Sequence, residues 1–127
     1  MKYKPMSKNE SDIFLKEQRM AMKYASFGFQ IEHLNERPGI SSPDVNVIRH
    51  GGGDSRVKGR FGDFKSTISA NNIVEYAKHA VKEQGADFLL IEFVAYDRKI
   101  PAKIKEMVRN NIHGYYYVSN EKGYHSF

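Results

Sequence analysis

Apolar residues recur at helical spacing in three stretches of the chain. The periodicity predicts helices over residues 10–27 and 70–84, and a third helix that opens at Pro101. Gly28 and Gly85 directly follow the first two stretches. Glycine is typical of this position because it adopts the left-handed conformation that ends a helix without strain. We therefore expect three helices.

Runs rich in β-branched and aromatic residues lie between these stretches. They predict strands at residues 29–34, 44–49, 57–66, 88–94 and 115–118, with a last short segment after a turn at 120–123. The glycine-rich loop Gly51–Asp54 would join the second and third strands into a β-hairpin. Phe88–Val94 is almost continuously apolar, as a central strand covered on both faces requires. The order α-β-β-β-α-β-α-β predicts an α/β fold with a mixed central β-sheet flanked by helices.

The length and composition narrow the class of protein. The chain has 127 residues, of which 40% are hydrophobic and 28% are charged. This length is close to the commonest domain size, so we expect one domain over residues 1–127. No apolar run approaches the ~20 residues that cross a bilayer, and there is no cysteine. We therefore expect no membrane partner, no disulfide framework and no thiolate metal site.

The charge of the chain favours a polyanionic partner. The net charge is +5 at pH 7 and the pI is about 9.4, a balance that fits nucleic acid best. Several cations cluster around the glycine-rich loop. We predict that this cluster binds nucleic acid: Arg49, Arg56, Lys58 and Arg60, with Lys65 close by.

One strand presents an acid and a base on the same face. Asp63 and Lys65 are two residues apart, so their side chains point the same way while Phe64 points into the core. Asp44 can approach that face from the neighbouring strand of the hairpin. Two carboxylates this close repel each other unless a hard cation lies between them. Oxygen ligands of this kind suit Mg²⁺ or Mn²⁺, Zn²⁺ being a further option.

Such a site has the groups that phosphodiester hydrolysis needs. A divalent metal polarises the phosphoryl oxygen and lowers the pKa of a bound water. A lysine beside it can position that water or neutralise the charge that develops on the phosphate. The sequence therefore predicts a metal-dependent nuclease in which Asp44 and Asp63 hold the metal and Lys65 acts on water and phosphate.

These residues resemble a known signature. Pro43-Asp44, eighteen intervening residues and then Asp63-Phe64-Lys65 match the PD-(D/E)XK pattern of the restriction-endonuclease-like superfamily. The resemblance implies a restriction-endonuclease-like fold, an endonuclease activity and a further acidic metal ligand on the first helix. We assign that ligand to Glu17, with Glu10 as the alternative.

A wider run of the chain resembles the C-terminal nuclease domains of contact-dependent growth inhibition toxins and related polymorphic toxins. The matching segments are Gly28-Phe29, Pro43-Asp44, Gly62–Ser66, Asn71–Ile73 and Lys82–Gln84. This resemblance implies cleavage of tRNA, or else DNA, in the cytoplasm of a target cell, with delivery as part of a larger secreted protein and a cognate immunity protein. Gln84 would hold a water or a phosphate in the site, and Ser66 would contact a phosphate.

Two other function classes stay open. A metal-independent, barnase-like RNase would use Asp63, Lys65 and His113, with Tyr115 as a further acid or base. A non-catalytic nucleic-acid-binding module would bind without turnover. His50, beside the loop, is the histidine that we would most readily assign a function. For the aromatic residues near the C-terminus, core packing is the better interpretation than base stacking.

Overall fold

One six-stranded sheet organises the molecule. The structure is a computed structural model that describes residues 8–34, 42–51 and 56–127, of which residues 8–10 are described by their backbone only. The helices are α1 (Lys8–Ser26), α2 (Ile73–Glu83) and α3 (Ile100–Arg109). The strands are β1 (Gln30–His33), β2 (Val45–Arg49), β3 (Phe61–Thr67), β4 (Phe88–Phe93), β5 (Gly114–Val118) and β6 (His125–Ser126).

The strands lie in the sheet in the order in which they occur in the chain. β1, β2 and β3 pair antiparallel, β3, β4 and β5 pair parallel, and β6 returns antiparallel to β5. Each parallel pair is joined through a helix, α2 between β3 and β4 and α3 between β4 and β5, because parallel strands need a crossover connection. The predicted mixed α/β sheet is confirmed.

Helices cover both faces of the sheet. Met20 and Tyr24 of α1 pack with Phe64 and Leu90 on one face. On the other face, α2 and α3 pack against a second core that includes Leu89, Ile91 and Phe93 (β4 therefore alternates between the two cores). All six residues of β4 are buried, as the apolar run predicts. None of the helices in the described part of the chain is long and apolar enough to cross a membrane.

The third strand is shorter at its start than the sequence pattern predicts. β3 begins at Phe61, so the prediction of a strand from residue 57 is wrong for its first four positions. Gly59 has a φ of +109°, which is incompatible with an extended strand. The N–H groups of Arg60 and Phe61 both donate to Asp87 Oδ2 at 3.0 Å. The Asp87 side chain, which is distant in the sequence, therefore accepts both hydrogen bonds.

Other boundaries shift by a few residues. α1 and α2 end just before the predicted positions, α2 begins at Ile73 instead of residue 70, and the short C-terminal segment forms β6. Several predicted features lie outside the described residues. These are the turn that the run Asn35-Glu36-Arg37-Pro38-Gly39 predicts, the loop residues 52–54 and the side chain of Glu10.

Candidate active site

The candidate site lies where β2 separates from β3. Backbone pairing between them runs to Val45 and Gly62, and the Asp44 N–H donates to the Gly62 carbonyl at 3.1 Å. Two residues further along β3, the Phe64 N–H donates to Asp44 Oδ2 at 2.9 Å. The Asp44 carboxylate thus replaces a backbone acceptor at the end of the ladder. This hydrogen bond fixes it beside β3.

Asp63 is a buried acid without a hydrogen-bond donor. It is 1% exposed, and neither carboxylate oxygen has a partner among the described residues. Burial raises the pKa of Asp63 to about 8, helped by contact with the Asp44 carboxyl and by the negative charges of Asp44 and Glu17. A buried polar group without a partner is costly. Two carboxylates arranged in this way suit a hard divalent cation.

A cavity of about 330 Å³ opens onto these acids between α1, β3 and α2. It brings together all five residues predicted to be catalytic: Glu17, Asp44, Asp63, Lys65 and Gln84. Gln84 reaches it from the C-terminal end of α2, and its buried Oε1 has no hydrogen-bond partner among the described residues. The geometry therefore unites side chains from four separate segments of the chain.

Lys65 is held over an aromatic ring at the same cavity. Its Nζ lies 3.7 Å from the centre of the Tyr76 ring on α2, a distance typical of a cation–π contact. Burial lowers the pKa of Lys65, the positive charge of Lys16 lowers it further, and Asp63 acts in the opposite direction. As the sequence predicts, Lys65 and Asp63 share one face of β3 while Phe64 lies in the opposite core.

The donor set fits a metal that retains water ligands. Within the described ranges, no group of three or more acidic or histidine side chains is already gathered closely enough to hold an ion. Mg²⁺ commonly binds through one or two carboxylates and keeps several waters, which Asp44 and Asp63 can satisfy. Zn²⁺ usually takes three or four protein ligands, so this pair fits Mg²⁺ or Mn²⁺ better.

The predicted nucleic-acid-binding residues occupy two different places. Arg49, Arg56, Lys58 and Arg60 are exposed, and none of them lines the cavity that holds the acids. Ser66 does line it. Its hydroxyl donates to Glu92 Oε1 at 2.6 Å, so it lies on the α1 side of β3.

The sequence analysis did not predict the ion pair between Arg19 and the buried Glu92, next to this cavity. Glu92 is 2% exposed, and it accepts hydrogen bonds from Arg19 Nε at 2.9 Å and from the Tyr117 hydroxyl at 2.7 Å. Arg19 Nη2 contacts its other oxygen. Burial raises the pKa of Glu92, but the hydrogen bonds from Arg19, Ser66 and Tyr117 outweigh it and the pKa lies below its usual range. The sequence does contain a signal for this ion pair, because Glu92 is an acidic residue within the otherwise apolar run of β4.

His50 and His113, the two histidines considered for a function, contact other groups of the protein. His50 Nδ1 lies 2.6 Å from the Tyr115 hydroxyl and Nε2 lies 3.1 Å from the Gly59 carbonyl, so both ring nitrogens are engaged by the protein. His113 contacts Asn111 at 3.3 Å and does not line the acidic cavity. Tyr115 and Tyr117 are buried, which confirms the core-packing interpretation for these two aromatic residues.

The fold and the site define an α/β domain with an acidic cavity at the point where two strands of a mixed sheet separate. The same fold occurs in a chain of the CdiA-CT/CdiI toxin and immunity complex from Burkholderia pseudomallei, with a TM-score of 0.66 and 17% sequence identity. The likeness covers 100% of this chain and 93% of that chain. No protein-family model and no curated protein matches the chain.

Proposed function

We propose that this chain is a toxin-type endonuclease that hydrolyses phosphodiester bonds of nucleic acid with a divalent metal. The observation that carries the proposal is the Asp63 carboxyl group, buried beside Asp44 with no hydrogen bond of good geometry from the described residues to either of its oxygens. The local match to the PD-(D/E)XK pattern and the meeting of Glu17, Lys65 and Gln84 at the same cavity support it.

Each residue has a role in this proposal. Asp44 and Asp63 would hold Mg²⁺ or Mn²⁺, which polarises a phosphoryl oxygen and lowers the pKa of a bound water. The Lys65 ammonium offsets negative charge that develops on the phosphate. The Gln84 amide orients a water or a phosphate oxygen. Glu17 adds negative charge that strengthens binding of a cation by the aspartates.

The structural likeness supports the toxin part of the proposed biological setting. The similar chain belongs to a toxin and immunity complex, which supports a toxin role and a cognate immunity protein for this chain. We infer that it acts in the cytoplasm of a target cell after delivery as part of a larger protein. The proposed substrate is tRNA, with DNA as the second choice.

The test is cleavage of total tRNA and of plasmid DNA, side by side, by wild type and Asp63→Asn. Each reaction is run with Mg²⁺ and with EDTA. We expect EDTA to abolish cleavage of one substrate and Asp63→Asn to slow it by on the order of 100-fold or more. Asp12→Asn is the matched control, because Asp12 is an exposed α1 acid that does not line the acidic cavity.

The outcomes separate the three function classes. Cleavage that persists in EDTA would overturn the metal-dependent proposal and favour a metal-independent RNase. Binding without turnover of either substrate would favour the non-catalytic module. Equal loss of activity in Asp63→Asn and Asp12→Asn would show that the acidic cavity has no specific role in cleavage.

A further inference from the structure

Three cations lie in a row along one flank of α1. Lys16, Arg19 and Lys23 are spaced at i, i+3 and i+7, which places them on one side of a helix. Lys16 lines the acidic cavity, and Arg19 and Lys23 line a second cavity of about 590 Å³. The row, named here the α1 cation row, therefore leads from the candidate site into a neighbouring cavity.

Arg19 is fixed in the middle of this row. Its Nε and Nη2 both donate to buried Glu92, while 52% of its side-chain surface stays exposed. Arg19 also lines the second cavity, and its Nη1 is the guanidinium nitrogen that does not contact Glu92. A guanidinium held by Glu92 in this way is preorganised to contact a phosphate through its remaining N–H groups.

The second cavity has the chemistry of a base-binding site. Leu15 and Met22 supply exposed apolar surface, Tyr117 lies buried beneath it, and Ser119 supplies a polar group. Its volume falls in the range of roughly 300–1,000 Å³ that is usual for small-molecule sites. Lys23 lies at its edge, with Nζ 5.9 Å from the centre of the Tyr117 ring. The volume and the apolar lining suit an unpaired base.

The two cavities are adjacent. Ser66 lines the acidic cavity and donates to Glu92, which lines the second one. Arg19 Nη2 also lies 3.4 Å from the Ser66 hydroxyl. Lys16 and Lys23 are about 10 Å apart along the helix axis, a length that matches only a few neighbouring phosphates of one strand.

We propose that the α1 cation row binds consecutive backbone phosphates of an unpaired nucleic-acid strand, with one base in the second cavity against Leu15 and Met22. This inference rests on the proposed function, because it places the scissile phosphate in the acidic cavity. Glu92 is then a positioning residue that acts through Arg19. In single-strand binding, positive charge follows the backbone, and here the exposed side chains of Leu15 and Met22 supply the apolar surface against which a base can lie.

The test measures binding separately from cleavage. A fluorescently labelled single-stranded RNA of about 12 nucleotides is titrated in EDTA at several salt concentrations. Lys16→Gln/Lys23→Gln should weaken binding on the order of tenfold and reduce the slope of log affinity against log salt by about 0.7 for each phosphate that is no longer neutralised. Lys82→Gln/Lys105→Gln removes the same charge from exposed positions on α2 and α3 and should change neither.

Two further comparisons sharpen the result. Arg19→Lys keeps the charge but removes the planar fork, so it should weaken binding while leaving the salt slope nearly unchanged. A perfect duplex of the same sequence should bind more weakly than the single strand. Equal affinity of the two double variants, equal affinity for duplex and single strand, or no binding by wild type would each overturn the inference. Because binding is measured in EDTA, a lack of nuclease activity alone would not affect it.

Discussion

At the scale of single residues, Glu92 shows how the sheet tolerates a buried charge. Desolvation opposes the ionised carboxylate, and hydrogen bonds from Arg19, Ser66 and Tyr117 offset it. Its partners come from α1, β3 and β5. The charge therefore ties three elements together at the boundary between the two cavities.

This arrangement predicts a pH-dependent stability. The pKa of Glu92 is lower in the folded protein than its ordinary value. The stability that it contributes is therefore present above pH ~4.5 and disappears as the pH falls through the folded-state pKa. Glu92→Gln should lower the free energy of unfolding by about 1–2 kcal/mol at pH 7. Chemical denaturation from pH 7 to about pH 3 should show this difference closing in acid. A difference that widens in acid would contradict the assignment.

Lys65 is held by a different kind of contact from Glu92, because its ammonium group lies over the aromatic ring of Tyr76. Lys65→Gln should slow cleavage by on the order of 100-fold, because the cation that faces the phosphate is removed. Its effect on thermal stability should be small, since the variant removes an unfavourable partly buried charge along with the favourable cation–π interaction. Lys78→Gln, on the same helix as Tyr76, is the control for nuclease activity and thermal melting. Equal slowing by both variants would show that Lys65 has no special role.

At the scale of elements, the close approach of β4 and β5 depends on Gly114. A Cβ at this position would meet the Leu89 carbonyl oxygen and would lie 2.8 Å from the Leu89 nitrogen. These are backbone atoms of the paired strand, so they cannot rotate away as a side chain can. The register Leu89↔Gly114 therefore requires glycine.

Gly114→Ala should lower the free energy of unfolding by about 3 kcal/mol and the melting temperature by roughly 10 °C. Gly123→Ala is the matched control, because a Cβ there meets nothing within 4 Å and its φ is not positive. Calorimetry of both variants tests the prediction. Similar melting temperatures for the two would show that the strands can separate enough to accept the methyl group.

Elements were predictable where local pattern decides the structure. The apolar run of β4 and the helical spacing of α2 are properties of neighbouring residues, and both are confirmed. The start of β3 was not predictable, because it depends on the Asp87 carboxylate, which is 26 residues from Phe61 in sequence. The same reason applies to the site. Asp63 and Lys65 follow from strand spacing, whereas Arg19 and Glu92 are 73 residues apart and meet only because α1 packs on the sheet.

At the scale of the whole molecule, the position of α1 determines both cavities. The Tyr24 hydroxyl donates to the Ile91 carbonyl at 2.8 Å and lies 3.2 Å from the Tyr115 carbonyl, so it anchors the helix to the centre of the sheet. Glu17 and the α1 cation row take their positions from this docking. An acid of the proposed metal site and the cations proposed to bind the substrate strand are thus parts of one rigid element.

Metal binding should therefore stabilise the entire fold. A ligand that binds only the folded state stabilises it by about 2.7 kcal/mol at 100 times its dissociation constant. Saturating Mg²⁺ or Mn²⁺ should raise the melting temperature of wild type by several degrees over that in EDTA, and should leave that of Asp63→Asn unchanged. In EDTA this variant should be at least as stable as wild type, because an uncharged amide replaces a buried carboxyl group whose ionised form is disfavoured by burial. An equal rise in both proteins would place the ion elsewhere. If Asp63→Asn melts well below wild type in EDTA, Asp63 has a structural role instead. A residue that serves only as a metal ligand adds no stability when the metal is absent.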